Sequence, residues 1–226
     1  MRTTLITLGL LFSLAVPCFA QMQATPMEIK KDTEQGVFVA RYPRMSGETA
    51  QEKNAALRIN TTIKNVMDQL YRGVLDNWQQ PKKDKNTAYV SKDIDYAITY
   101  DDDNIVSINF TDTFAQGDSQ SLFIKDGMTF AKTTGKLLKW KDLIRPEDKS
   151  KMTKDYISGL LIAGVKRGDY VLYLSFDELD AMPKNYYVDS TGTLHFQINP
   201  GILGPFTAGV VDVDTGCVTA DHIEEK

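Results

Sequence analysis

The chain is poor in the side chains on which most enzyme chemistry depends. Only two histidines occur among 226 residues, His195 and His222, and neither belongs to an HExxH or similar spacing. A three-histidine metal site is therefore excluded, and a catalytic dyad has few possible members. Cysteine is equally scarce. Of the two present, Cys18 falls within the first twenty residues, leaving Cys217 with no partner for an internal disulfide. Cys217 also lacks a basic neighbour in sequence to favour its thiolate, so it reads as a bystander. There is no phosphate-cradling glycine loop, no GxSxG elbow and no CxxC. The sequence calls for no cofactor and no metal. A formal net charge of −4 argues against nucleic acid as a partner and weakly favours a cationic one.

Long apolar runs are also absent, with one exception at the start. Arg2 precedes an apolar stretch from Leu5 to Val16, followed by Pro17-Cys18-Phe19-Ala20 and polar Gln21. The run is too short to span a bilayer, and a small residue after a helix breaker suits signal peptidase. Residues 1–20 are thus expected to be a signal peptide, with a periplasmic or secreted product. A lipid anchor on Cys18 is the alternative, but Ala15-Val16-Pro17 fits a lipobox poorly.

The remainder has the composition of a folded protein, 42% hydrophobic and 25% charged over the full chain. Residues 21–35, polar and carrying Pro26, read as a flexible lead-in. A short strand through Val37 and Val39 is expected to stop at Pro43. Thr49-Ala50-Gln51-Glu52 matches a capping box, and Ala56, Ile59, Ile63, Val66, Met67, Leu70, Val74 and Trp78 mark one helical face. The period then falls to two through Ile94, Tyr96, Ile98 and Tyr100, and again through Val106, Ile108 and Phe110. With turns at Asp101–Asn104, Gln116–Asp118 and Thr134–Lys136, this predicts an antiparallel meander covered by the long helix.

Pro146 suits the first residue of a second helix whose face is Met152, Tyr156, Leu160 and Gly164, ending near Gly168. Strands are expected at 171–176, 186–188, 194–198 and 210–213. The predicted fold class is α+β: a helix-plus-meander part over 36–132, a strand-rich part over 133–214, and a tail over 215–226.

Two motifs with apparent chemistry read better as turns. Val213-Asp214-Thr215-Gly216 matches the aspartic-protease signature, but Thr-Gly recurs at 134–135 and 191–192, where it separates strands. The acids Asp101 to Asp103 would place Val106 where a calcium loop requires glycine, so a solvated hairpin tip is expected. His195 reads as a strand-face histidine and His222 as a tail residue.

The motifs taken in order carry more than any one alone. Tyr42-Pro43, Ser107-Ile108-Asn109-Phe110, Thr129-Phe130, Thr134-Gly135-Lys136, Trp140-Lys141-Asp142-Leu143 and the stretch Phe196 to Gly209 together resemble one extracytoplasmic family. It is the domain of unknown function in the anti-sigma-V (RsiV-like) lysozyme-sensing ectodomain, also found beside peptidoglycan deacetylase domains. The resemblance implies an α+β fold without assigned chemistry, and Pro200, Pro205, Phe206 and Gly209 match the family's closing loop. Gly201 stands where the family commonly has tyrosine, and the family's usual histidine before the Thr-Phe motif is missing, with Gln120-Ser121 in its neighbourhood. Only four residues precede the apolar run, so control of a sigma factor is not expected. The implied function is a non-enzymatic envelope binding domain for a lysozyme-like protein or cell-wall glycan, with Pro200, Pro205 and Phe206 as candidate ligand-binding residues. A hydrolase acting through Asp212 and Asp214 is the alternative, and a structural envelope subunit a third reading.

Overall fold

The computed structural model describes residues 22–79, 89–117, 121–173 and 176–220. The expected signal peptide and His222 lie outside these residues. Among the described residues no helix is long and apolar enough to cross a membrane.

Glutamate and threonine start the long helix as the capping box requires. The Thr49 hydroxyl accepts from the Glu52 amide at 3.2 Å, and the Glu52 carboxylate accepts from the Thr49 amide at 2.9 Å. These backbone bonds hold the Glu52 carboxyl below its ordinary range. Helix α1 (Ala50–Gln79) then presents Ile59, Ile63, Met67, Val74 and Trp78 to a sheet. That sheet is five-stranded, in the order β1 (Gln23–Thr33), β2 (Gly36–Ser46), β3 (Val90–Asp101), β4 (Ile105–Gln116), β5 (Leu122–Ala131). Strands β3, β4 and β5 form the predicted antiparallel meander. β2 joins β3 in parallel, because α1 carries the chain from one to the other as a crossover.

Two expectations about the start of the chain are corrected. The flexible lead-in expected over 21–35 is replaced, among its described residues, by a strand: Gln23–Thr33 pairs with all of β2 from Thr33–Gly36 back to Gln23–Ser46. Nor does β2 stop at Pro43. Gln35 Oxygen accepts from the Val90 amide, so odd-numbered residues of β2 aim their backbone groups towards β3. Pairing with β3 has already ended at Ala40, hence the missing Pro43 amide has no ladder to break.

Alternate residues of β4 serve two cores. Val106, Ile108 and Phe110 join Phe38, Ile94 and Phe130 beneath α1, whereas Ile105 packs with the C-terminal half. Ser107 faces the same way as Ile105. Its hydroxyl lies 2.9 Å from that of Thr129 and accepts from the Val188 amide at 3.0 Å. The Ser-Ile-Asn-Phe and Thr-Phe motifs thus alternate an apolar side chain for one core with a polar one satisfying the other.

The C-terminal half contains α2 (Trp140–Leu143), α3 (Pro146–Lys149), α4 (Lys154–Arg167) and a three-stranded antiparallel sheet, β6 (Asn185–Val188), β7 (Thr193–Ile198), β8 (Val211–Val218). The predicted second helix is divided. Thr153 is extended and caps the Tyr156 amide, so one turn begins at Pro146 and a separate helix at Lys154, closed by Gly168 at φ 83°. The strand expected at 171–176 does not form among its described residues. Tyr173 instead donates its amide to Leu203 oxygen, tying this segment to the closing loop.

Asp214-Thr215-Gly216 is not a turn and 215–226 is not wholly a tail, since β8 continues to Val218. Thr215 donates its hydroxyl to Leu194 oxygen at 2.7 Å, and Gly216 adopts φ 62°, which absorbs the register shift opposite Thr193–His195. This bulge lets the strand continue. The acid run 101–103 is a hairpin tip as expected, but a nearly buried lysine ties it down: Lys132 Nζ contacts Asp101 Oδ1 at 2.8 Å and Asp102 oxygen at 2.6 Å.

Two asparagines join the halves. Asn185 accepts from the Gly127 amide at 2.7 Å and donates to Lys125 oxygen at 2.6 Å. Asn199 accepts from the Lys125 amide at 2.9 Å and donates to the same oxygen at 3.1 Å. Further along, Thr129 oxygen accepts from Leu138 and the Ala131 amide donates to Lys136 oxygen. The β5 edge is thereby closed by side chains and a loop.

Candidate functional site

Alternation along three short strands gathers polar groups on the outer face of the C-terminal sheet. Leu194, Phe196, Val211 and Val213 point into the core, which leaves Tyr187, His195, Gln197, Asp212 and Asp214 on the opposite side. Asp212 accepts from Tyr187 Oη at 2.9 Å, His195 Nδ1 at 2.7 Å and Gln197 Nε2 at 3.4 Å. The other imidazole nitrogen lies 3.4 Å from Asp189 Oδ2. Burial works against the protonated imidazole, but the hydrogen bond to Asp212 and the charges of Asp212, Asp214 and Asp189 outweigh it and raise the His195 pKa. Burial and the same aspartate push the Tyr187 phenol up. Asp189, whose burial opposes ionisation, is held below its ordinary range by donors from Thr191 and Thr193.

A concavity of about 360 Å³ adjoins this face, bounded by Leu160, Arg167, Asp169, Tyr170, Asp212 and Asp214. Arg167 and Asp169 pair at 2.7 Å across one rim. No group of three or more metal-ligating side chains with suitable geometry occurs among the described residues. Sequence reasoning assigned His195 no role and did not connect it to Asp212. The signal was available in the parity of three successive strands, although their register was not.

The closing loop sits beside the same concavity. Pro200 and Pro205 are half-buried and shape the loop, while Ile202 and Phe206 are 64% and 65% exposed. Gly201 has φ 83°, and a Cβ there would lie 2.6 Å from the Phe206 ring, so this glycine gives the ring its seat. Val171 and Tyr173, held against the loop by the Tyr173–Leu203 bond, are also exposed. A second depression, about 240 Å³, lies between Ile162, Val165 and Lys166 of α4 and Leu172, Tyr173 and Phe176. The described surface near the end of α4 thus combines exposed apolar side chains with an acidic hollow.

No family model matches the sequence, and no curated protein matches it. Solved structures do resemble the fold. One, from Bacteroides fragilis and described as a member of the DUF3298 family, has TM-score 0.60 at 13% identity, covering 90% of this chain and 95% of its own. Another, a DUF3298 family protein from Pseudomonas aeruginosa, has TM-score 0.54 at 11% identity, covering 92% and 98%. At such identities the likeness establishes the α+β fold across nearly the whole chain, and neither description assigns an activity.

Proposed function

We propose that the protein is an exported, non-enzymatic binding domain of the cell envelope, and that the closing loop with the 171–173 segment forms its contact surface. The observation that carries this reading is the joint exposure of Ile202, Phe206, Val171 and Tyr173 on segments hydrogen-bonded to each other. Apolar and aromatic groups presented on a fixed scaffold supply contact area at small entropic cost. The signal-like start and the ordered resemblance to lysozyme-sensing ectodomains support the envelope assignment. The acids Asp169, Asp212 and Asp214 beside the loop favour a cationic, lysozyme-like protein, with cell-wall glycan as the other ligand.

Calorimetry with lysozyme and with solubilised peptidoglycan fragments tests this. Binding to one of them should weaken about tenfold or more in Phe206→Ala and Ile202→Ser, as expected for central apolar contacts. Absence of binding to both, or binding indifferent to both substitutions, overturns the reading.

One observation favours the hydrolase alternative: Asp212 and Asp214, although exposed on the outer face of β8, line one concavity. Against it, Asp212 is already engaged by Tyr187, His195 and Gln197 of its own sheet. Loss of wall-degrading turnover in Asp214→Asn, in a protein that still folds, would support the alternative.

A further inference from the structure

The two edges of the five-stranded sheet are treated differently. β5 is closed by Asn185, Asn199 and the 136–138 segment, whereas β1 pairs with β2 alone among the described residues. Nearly all of β1 is exposed, only Met27 and Ile29 being partly covered. Its free backbone groups can be assigned. The two-residue connection between Thr33 and Gly36 makes these the closing hydrogen-bonded pair, so odd-numbered residues of β1 face β2. Even-numbered residues therefore aim outwards. Pro26 is one of them, so its missing amide falls on the open side and costs no bond to β2. The open donors and acceptors that remain together are those of Glu28, Lys30 and Asp32.

We infer that this edge pairs with the β1 edge of a second copy of the chain, antiparallel about a two-fold axis at Ile29, giving a sheet continuous across a dimer. Charge selects the register. Only even residues can exchange hydrogen bonds across the axis, so the axis must lie on a β1 residue. Centred on Ile29, each Glu28 faces the second copy's Lys30, twice by symmetry, and the two Ile29 side chains meet in the close, non-hydrogen-bonded position. Centred on Glu28 the arrangement sets Glu28 against itself, and centred on Lys30 it sets Lys30 against itself and Glu28 against Asp32. Centred on Lys31 it sets Lys30 against Asp32, but it also sets Lys31 against itself and Glu28 against Glu34, and it leaves only the last residues of β1 to pair. Lysines commonly blunt sheet edges; here the Ile29-centred register answers Lys30 with Glu28 and sets no like charges opposite each other, while Glu28 also keeps Arg41 of its own sheet at 3.2 Å. Pro26 then faces Asp32 and ends the pairing, which keeps the interface short and the dimer reversible.

Sedimentation equilibrium and dilution NMR of the exported, processed protein should show a dimer dissociating between about 10 µM and 1 mM. Lys30→Glu and Glu28→Lys should each weaken self-association tenfold or more. Mixing these two variants should restore the dimer, because each then presents both residues with opposite sign to its partner. The double exchange Glu28→Lys/Lys30→Glu should dimerise by itself. Under mild oxidation Ile29→Cys should cross-link to itself much faster than Lys31→Cys, while buried Cys217 does not interfere. Both positions are exposed or partly exposed edge sites, so folding is retained and far-UV circular dichroism verifies it. A monomer at all concentrations up to about 1 mM overturns the inference. So does a dimer indifferent to charge reversal, or equal cross-linking at both positions.

Discussion

Asn185→Ala and Asn199→Ala test whether side chains substitute for a strand along β5. Asn185→Ala leaves the Gly127 amide without its acceptor, and Asn199→Ala does the same to the Lys125 amide. An unsatisfied, partly buried backbone group costs about 1–2 kcal/mol, so each variant should lose that much. The Lys125 carbonyl introduces coupling. It accepts from both asparagines, and either one suffices to satisfy it. Only the double variant orphans it, so the double loss should exceed the sum of the singles by about 0.5–1 kcal/mol. Urea unfolding measures these values, and for a protein of this size each kcal/mol corresponds to about 2–4 °C in Tm. Trp78 and Trp140 report on different apolar clusters, so coincident fluorescence and circular dichroism transitions establish whether the halves unfold together. Hydrogen exchange adds a local readout: Gly127 should lose protection in Asn185→Ala, and Lys125 in Asn199→Ala. Single losses below about 0.5 kcal/mol with unchanged exchange at these amides would refute the reasoning.

His195 makes stability depend on pH with a definite sign. Its pKa is raised in the folded protein, so the stabilisation by Asp212 and Asp189 is complete below the unfolded value of about 6.5 and fades as pH rises through the folded value. The deficit of His195→Gln should therefore be larger at about pH 6 than at about pH 9, measured by urea midpoints; a deficit independent of pH contradicts this. Two kinds of glycine should respond oppositely to alanine. A Cβ at Gly127 would lie 1.9 Å from Tyr186 oxygen, so Gly127→Ala should lose about 1–3 kcal/mol by overpacking. Gly73 and Gly159 lie within α1 and α4 with nothing within 4 Å of the added atom, and alanine at either should gain about 0.5–1 kcal/mol. Thr215→Val removes the hydroxyl that bridges the β8 bulge and should lower stability by about 1–2 kcal/mol in the same unfolding assay.

Local rules alone determined much of this protein. The capping box at Thr49–Glu52, the apolar face of α1, the period-two strands 94–110 and the glycine stop at Gly168 each depend on neighbours within one turn or one pleat. What failed was whatever depended on a distant partner. Residues 23–33 carry too little apolar pattern to declare a strand and became one because β2 offered a free ladder. Asp214-Thr215-Gly216 has the composition of a turn, yet Leu194 supplied an acceptor that let the chain run on. The Tyr187–His195–Asp212 cluster could not be read in advance for the same reason. Parity gives the face of each side chain, but its neighbours follow from inter-strand register, which packing and bulges decide. The closing loop was legible as a loop from its prolines and glycines; that Phe206 lies open while both prolines are half-buried was decided by the seat at Gly201 and the tie between Tyr173 and Leu203.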